Sequence, residues 1–317
     1  MVEKLCRGAT RKLPLLAPLF GLLCVAFAQN GSLAYWNLPP ERVDRLLLHV
    51  PVDDRDRYRR LRDEFAGLHC SPELMQKQPT GHEDAGNLIC TLPGKDEGQI
   101  IVAARYDRKG EGTGEGGRWS EALMLPLLYN ALQAQPRLHT FVFAALNGEA
   151  GEKAFFDPLR KRTGQSTAAL VVLDKIGLGS PRIYTLQPAL FSKKSHAIAE
   201  TSNLLASEAI TVAGILQLPN PRLPQPPPTG VGRVTLNLNE VTGNSILTRE
   251  YQTPSILIYS NGDSLPPLAN DRRLGQNHSQ APYSLTTDAP TASFHRNFDF
   301  AASFLCLIDI KIPHPGQ

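Results

Sequence analysis

Apolar positions along this chain fall into short, nearly unbroken runs separated by longer stretches in which apolar residues recur at helical intervals. "NLICTLPG" (87–94), "QIIVAARYD" (99–107), "HTFVFAALNGE" (139–149), "AALVVLDKIG" (168–177) and "TPSILIYSNG" (253–262) read as strands. The third and fourth are apolar at almost every position, which suits strands covered on both faces. Pro93-Gly94 predicts a turn, so the first two strands are expected as a hairpin or an adjacent pair.

Residues 40–69 are rich in charge with apolar positions at roughly helical spacing, and predict two helices broken near Pro51. "SEALMLPLLYNALQ" (120–133) predicts a helix with Ser120 as its N-cap candidate. Pro126 conflicts with that reading, since a proline inside a helix costs about 3 kcal/mol, so the helix is expected to kink or to start later. Further helices are predicted over 192–209 and about 295–311, and "PNPRLPQPPPTG" (219–230) is an extended surface loop. Strands alternating with helices predict an α/β layer fold with a central sheet. No internal repeat and no forced boundary appear, so residues 29–317 are expected to form one domain.

Composition is that of a globular protein, with 42% hydrophobic and 20% charged residues and enough length, 317 residues, for a sizeable core. A net charge of +3, with no basic stripe interleaved with aromatics, argues against a nucleic-acid partner. Arg160, Lys161 and Arg162 read as a solvated helix end or loop.

Residues 1–28 have the pattern of a signal peptide. Lys4, Arg7, Arg11 and Lys12 precede an uncharged apolar run, Leu13 to Ala28, that closes on Ala26-Phe27-Ala28. The run is short for a membrane span and contains Pro14 and Pro18, so cleavage, leaving no stable span, is expected over retention as an anchor. Localisation is then secreted or periplasmic. Export removes Cys6 and Cys24, and it permits Cys70 and Cys90 to pair as a disulfide, with Cys306 a buried free thiol in an apolar run. Asn30 and Asn277 open glycosylation acceptor patterns.

The candidate chemistry sits where strands end. Arg105 and Asp107 close "QIIVAARYD", Glu149 closes "HTFVFAALNGE", and Asp174 lies in "VVLDKIG"; the carboxyl ends of strands are where α/β folds gather functional groups. Familiar alternatives are missing from the sequence. There is no Gly-x-Ser-x-Gly elbow, no phosphate loop ending Gly-Lys-Ser/Thr, no Cys-x-x-Cys, and no histidine in a His-Glu-x-x-His pattern.

The succession "ARYD", a glycine-rich loop, a helix, "NGEAGEKAFF", "VVLDKIG", "PSILIYS" and a late "YSLTTDAP" resembles the zinc-dependent aminopeptidase family, metallopeptidase family 28, which includes glutaminyl cyclases and transferrin receptor-like and nicastrin-like domains. The resemblance spans roughly residues 55–311. It implies three αβα layers around a central mixed, mostly parallel sheet. It also implies a metal site that this chain has largely lost. Arg105 stands where the family has a zinc-binding histidine, although Asp107, the partner aspartate of that motif, is kept. Gly116 falls on the aspartate that bridges two metals. Glu149 keeps the general-base position, a vestigial one here, while Ala150 replaces the adjacent ligand. Asp174 matches a ligand aspartate, and Ser284, after Tyr283, stands in place of the last histidine.

A catalytic zinc needs about three protein ligands and an open position for water. A guanidinium is always protonated and has no lone pair to give. The expectation is therefore a secreted peptidase-like domain, catalytically degenerate, needing no cofactor and binding a peptide or protein partner. In it Arg105 fills the metal's space and pairs with Asp107, Asp174 or Glu149. Two alternatives stand beside it. One is an active metallo-exopeptidase or glutaminyl-cyclase-like enzyme that binds zinc through other ligands, such as His278 or His295 with Asp174 and Glu149. The other is a structural α/β domain with no site.

Overall fold

The computed structural model describes residues 38–48, 50–81, 85–108, 117–161, 167–174, 176, 179–185, 193–222, 253–260 and 290–313. The leader, Gly116, Ser284, His278, both glycosylation patterns and most of the proline-rich loop lie outside them. Seven strands form one sheet in the order β1-β2-β4-β3-β5-β7-β6: β1 (Met75–Pro79), β2 (Gly86–Leu92), β3 (Gln99–Arg105), β4 (Thr140–Leu146), β5 (Thr167–Asp174), β6 (Arg182–Thr185) and β7 (Ser255–Tyr259). The sheet is mixed. Its centre, β4-β3-β5-β7, is parallel, and the pairs towards both edges, β1 with β2, β2 with β4, and β6 with β7, are antiparallel.

The expected neighbour relation of the first two strands is corrected: β2 pairs with β4, and β3 lies on the far side of β4. The chain from Pro93 to Gly98 crosses the start of β4 instead of turning back. Thr140 N donates to Gly98 O at 2.9 Å, Gly94 N to Thr140 Oγ1 at 3.1 Å, and Asp96 N to Leu138 O at 2.8 Å. Gly94 is required there, because a Cβ would lie within van der Waals exclusion of the His139 and Leu138 carbonyls.

Six helices complete the described architecture: α1 (Pro40–Leu48), α2 (Asp54–Gly67), α3 (Gly117–Gln133), α4 (Gly148–Lys161), α5 (Lys193–Ile215) and α6 (Pro290–Lys311). The break near Pro51 separates α1 from α2 as expected. Asp53 caps α2, its Oδ1 accepting from Asp56 N at 2.7 Å. The α2 end is a Schellman turn, with Cys70 N bonded to Phe65 O and His69 N to Ala66 O. His69 takes the left-handed position, φ 66°, usually given to glycine.

α3 starts earlier than Ser120, so that serine is not its cap; its hydroxyl, inside the first turns, donates to the Ile176 carbonyl. Pro126 is carried within the helix. Burial overrides the local cost, because α3 packs against β3, β4 and β5 on one side and α1, α2 and α6 on the other, and residues 119–129 are all buried. Side chains alternate cleanly across β3. Ile100, Val102 and Ala104 face the large core shared with α1, α2, α3, α5 and α6, whereas Ile101 and Ala103 face a smaller core closed by Phe155 and Phe156 of α4.

Cys70 and Cys90 form a disulfide that ties the turn after α2 to β2. Cys306 is a free thiol on α6, half-buried rather than fully buried; burial, with the charge of Asp309 nearby, pushes it up to about 11. Among the described residues no helix is long and apolar enough to cross a membrane.

The bottom of the sheet is pinned by Asp309 of α6, whose carboxylate accepts from Leu138 N at 2.9 Å and His139 N at 2.8 Å. Burial opposes its charge, but the His139 side chain and these two backbone donors outweigh it and hold the carboxyl below its ordinary value. A depressed folded value means that the stabilisation is present above the unfolded value, about 4, and is lost as pH falls through the lower folded one. Asp309→Asn is thus expected to cost about 1–2 kcal/mol at pH 7. The gap to the parent should close in urea titrations below about pH 4; a gap that stays constant into acid would show that the carboxylate is not responsible.

Candidate functional site

Arg105 is the last residue of β3 and points to the same face as Ile101 and Ala103, towards the first turns of α4. Its guanidinium grips Asp107 with two parallel bonds, Nε to Oδ1 at 2.9 Å and Nη2 to Oδ2 at 3.0 Å. Nη1 faces Glu152 Oε1 of α4 at 3.6 Å. The side chains of all three are no more than 4% exposed, at 4% and 3% for the first pair and 4% for Glu152. Burial alone would lower the Arg105 value, yet the bonds and charge of Asp107, with the fields of Glu152 and Glu121, raise it above normal. The arginine is thus permanently charged and enclosed by carboxylates.

Local structure fixes each partner. Tyr106 turns into the core, where its hydroxyl donates to Gly86 O at 2.6 Å, and Arg57, itself buried, donates from Nη1 to Tyr106 O at 3.0 Å. Arg108 N donates to Asp54 Oδ1 at 2.9 Å. Held on both sides, Asp107 has little freedom to leave the guanidinium. Gly148 opens α4 at φ 64°, and a Cβ there would lie 3.2 Å from Asp107 Oδ2, so the helix start fits directly against the ion pair.

Asn87 of β2 clamps the same helix. Its Nδ2 donates to Gly151 O at 2.8 Å and to Gln78 Oε1 at 2.7 Å, and its Oδ1 accepts from Asn147 N at 3.0 Å. A Cβ on Gly151 would overlap Asn87 Oδ1. Because three hydrogen bonds hold that amide, it cannot move away without losing them. Gly151→Ala is expected to destabilise by about 1–3 kcal/mol in urea unfolding; a neutral substitution would mean that the clamp yields.

Of the three carboxylates expected around Arg105, Asp107 is the one seen in its grip. Glu149 is exposed in the first turn of α4, and Ala150 beside it is exposed too. The buried acidic residue of α4 is Glu152, one turn later. Asp174 ends β5, 3% exposed, one step beyond the paired Ala104 and Leu173, and so at the same end of the sheet as Arg105. Sequence reasoning missed Glu152, Glu121 and Arg57. For Glu121 the available signal was a lone glutamate in an otherwise apolar helix segment, "SEALML"; Glu152 and Arg57 stand among other charged residues and carried no such signal.

These residues do not fit a zinc ion. Both oxygens of Asp107 already accept from the guanidinium, and a metal in their neighbourhood would meet a fixed positive charge with no lone pair to offer. Among the described residues no three His, Cys, Asp or Glu side chains are grouped to hold a metal, so His295, Asp174 and Glu149 do not converge as a rearranged site.

No protein-family model and no curated protein sequence matches the chain. Solved structures do. A glutaminyl cyclase from Macrostomum lignano superposes with a TM-score of 0.58 at 14% identity, over 87% of this chain and 91% of that one. The LapA aminopeptidase of Legionella pneumophila gives 0.54 at 13% identity, over 89% and 78%. A glutaminyl cyclase from Tannerella forsythia gives 0.51 at 9% identity, over 83% and 95%. The fold is that of the zinc aminopeptidases and glutaminyl cyclases.

Proposed function

From a chain with the aminopeptidase and glutaminyl-cyclase fold that buries a charged arginine at the carboxyl end of a central strand, we propose an exported domain that binds a peptide or protein partner and does not hydrolyse it. The observation that carries this reading is the two-bond grip of Arg105 on Asp107, with Glu152 behind it. A carboxylate pair that a metal would neutralise is neutralised here by the protein itself. Activation of water by a metal has no place in such a site, and Glu149, exposed at the start of α4, is a general base without a partner reaction.

Export is supported by the basic and apolar pattern of residues 1–28 together with the Cys70–Cys90 disulfide. Binding is supported by the position of the cluster at the carboxyl ends of parallel strands, where such folds gather functional groups.

The test is turnover by the purified chain in the presence of zinc. Aminoacyl-nitroanilide cleavage and cyclisation of N-terminal glutamine peptides are both expected at buffer background, while immobilised peptide arrays return binders whose signal is competed by free peptide. Chelator-sensitive release of amino acid or of pyroglutamyl product would instead establish the metallo-exopeptidase or cyclase reading.

A further inference from the structure

Tyr259, the last residue of β7, is 4% exposed and belongs to the smaller core, on the sheet face that carries Arg105. Its hydroxyl is buried with no hydrogen-bond partner among the described residues. Burial pushes the phenol up to about 12 against the nearby charge of Arg182, so it keeps its proton and remains a donor. A buried polar group left unsatisfied costs about 1–3 kcal/mol, and native proteins commonly meet such a group with a bound water or ion.

Antiparallel pairing sets Arg182, the first residue of β6, directly opposite Tyr259, and Tyr184 opposite Leu257. Paired residues share a face and lie roughly 5 Å apart, so the Arg182 and Tyr184 side chains stand beside the Tyr259 ring. Arg182 is half-buried. Among the described residues its hydrogen bonding is a single long contact, Nη1 to the neutral Asn220 O at 3.4 Å, and no carboxylate pairs with it. Tyr184, half-buried against the smaller core, supplies an apolar wall next to the guanidinium.

We propose that Arg182 and Tyr259 bind the carboxylate of a small organic acid or of a peptide end, with the guanidinium and the phenol each donating to it and Tyr184 lying along its apolar body. Water would satisfy the phenol but leave the arginine without a counter-charge, whereas an anion answers both. A single negative charge fits better than two. On its other side Tyr259 is paired with Asp174, 3% exposed and on the same face, and a dianion such as hydrogen phosphate would bring excess negative charge up to that carboxylate. The Arg105–Asp107 pair plays no part in this site, so its failure would leave the proposed function standing.

The probe is hippurate, a peptide-like carboxylate, titrated calorimetrically into the full chain beside its neutral amide, hippuramide. Saturable one-site binding of hippurate is expected, with hippuramide and inorganic phosphate at least about tenfold weaker. Arg182→Gln should weaken hippurate at least about tenfold, and Tyr259→Phe at least about fivefold, while far-UV spectra stay unchanged. Tyr259→Phe removes no hydrogen bond from the free protein, so its urea midpoint without ligand should match or exceed that of the parent, which a purely structural hydroxyl would not allow. Benzoate separates the two sources: affinity at or above that of hippurate assigns the site to a free acid, and an advantage for hippurate assigns it to a peptide end. Absence of binding by both carboxylates, equal affinity for hippuramide, or indifference to both substitutions would overturn the proposal.

Discussion

Arg105→Met is expected to lower the unfolding free energy by about 3–5 kcal/mol, the usual cost of removing one member of a buried ion pair. Methionine fills much of the same volume, so the loss is electrostatic more than steric. What remains is Asp107 and Glu152, with side chains 3% and 4% exposed, deprived of the guanidinium that neutralised them. Urea denaturation followed by far-UV circular dichroism measures the loss. A second variant separates the cause: adding Asp107→Leu removes one of the stranded charges and should recover a substantial part of it, because a buried pair exchanged for apolar groups is often neutral. If Arg105→Met costs less than about 1 kcal/mol, the guanidinium is not what neutralises the cluster.

Removing the disulfide is the other large perturbation. Cys70 and Cys90 are 20 residues apart, and closing a loop of that size stabilises by about 3 kcal/mol through the unfolded state. Cys70→Ser with Cys90→Ser is expected to lose about that much. Reductant should shift the parent's urea midpoint in the same direction and leave the double variant where it is. Equal midpoints for the parent with and without reductant would mean that the bridge does not contribute in solution.

Much of the fold could be read from the chain because the parallel centre of the sheet announces itself. β3, β4, β5 and β7 are apolar almost throughout, covered as they are by helix layers on either side. β1 escaped notice because an edge strand with the sequence "MQKQP" is mostly exposed, and β6 because four residues, "RIYT", carry too little pattern. α4 was hidden behind the strand that feeds it, since Gly148 begins the helix immediately after Asn147. The placing of β2 beside β4 could not be read from a Pro-Gly pair. That pair marks a turn in either arrangement, and what decides is the fit of Gly94 against the His139 carbonyl.

The cluster was half visible. Arg105 and Asp107 stand two apart at a strand end, where a bend of the chain brings their side chains together, and their order along the chain pointed to the site. Glu152 did not stand out, because a glutamate on a helix is usually solvated; its burial follows from Asn87 drawing α4 onto β2 through Gly151, a contact made across sixty-four positions of sequence. Glu149, the acidic residue the sequence favoured, is the one left at the surface.

The proposal that Arg105 takes the place of a metal ion is tested most directly by zinc content. The purified chain is incubated with excess zinc, dialysed, and its metal measured by mass spectrometry alongside Arg105→His, which supplies an imidazole but no further ligand. The account predicts zinc far below one ion per chain in both proteins. Stoichiometric, dialysis-resistant zinc in the parent would contradict it.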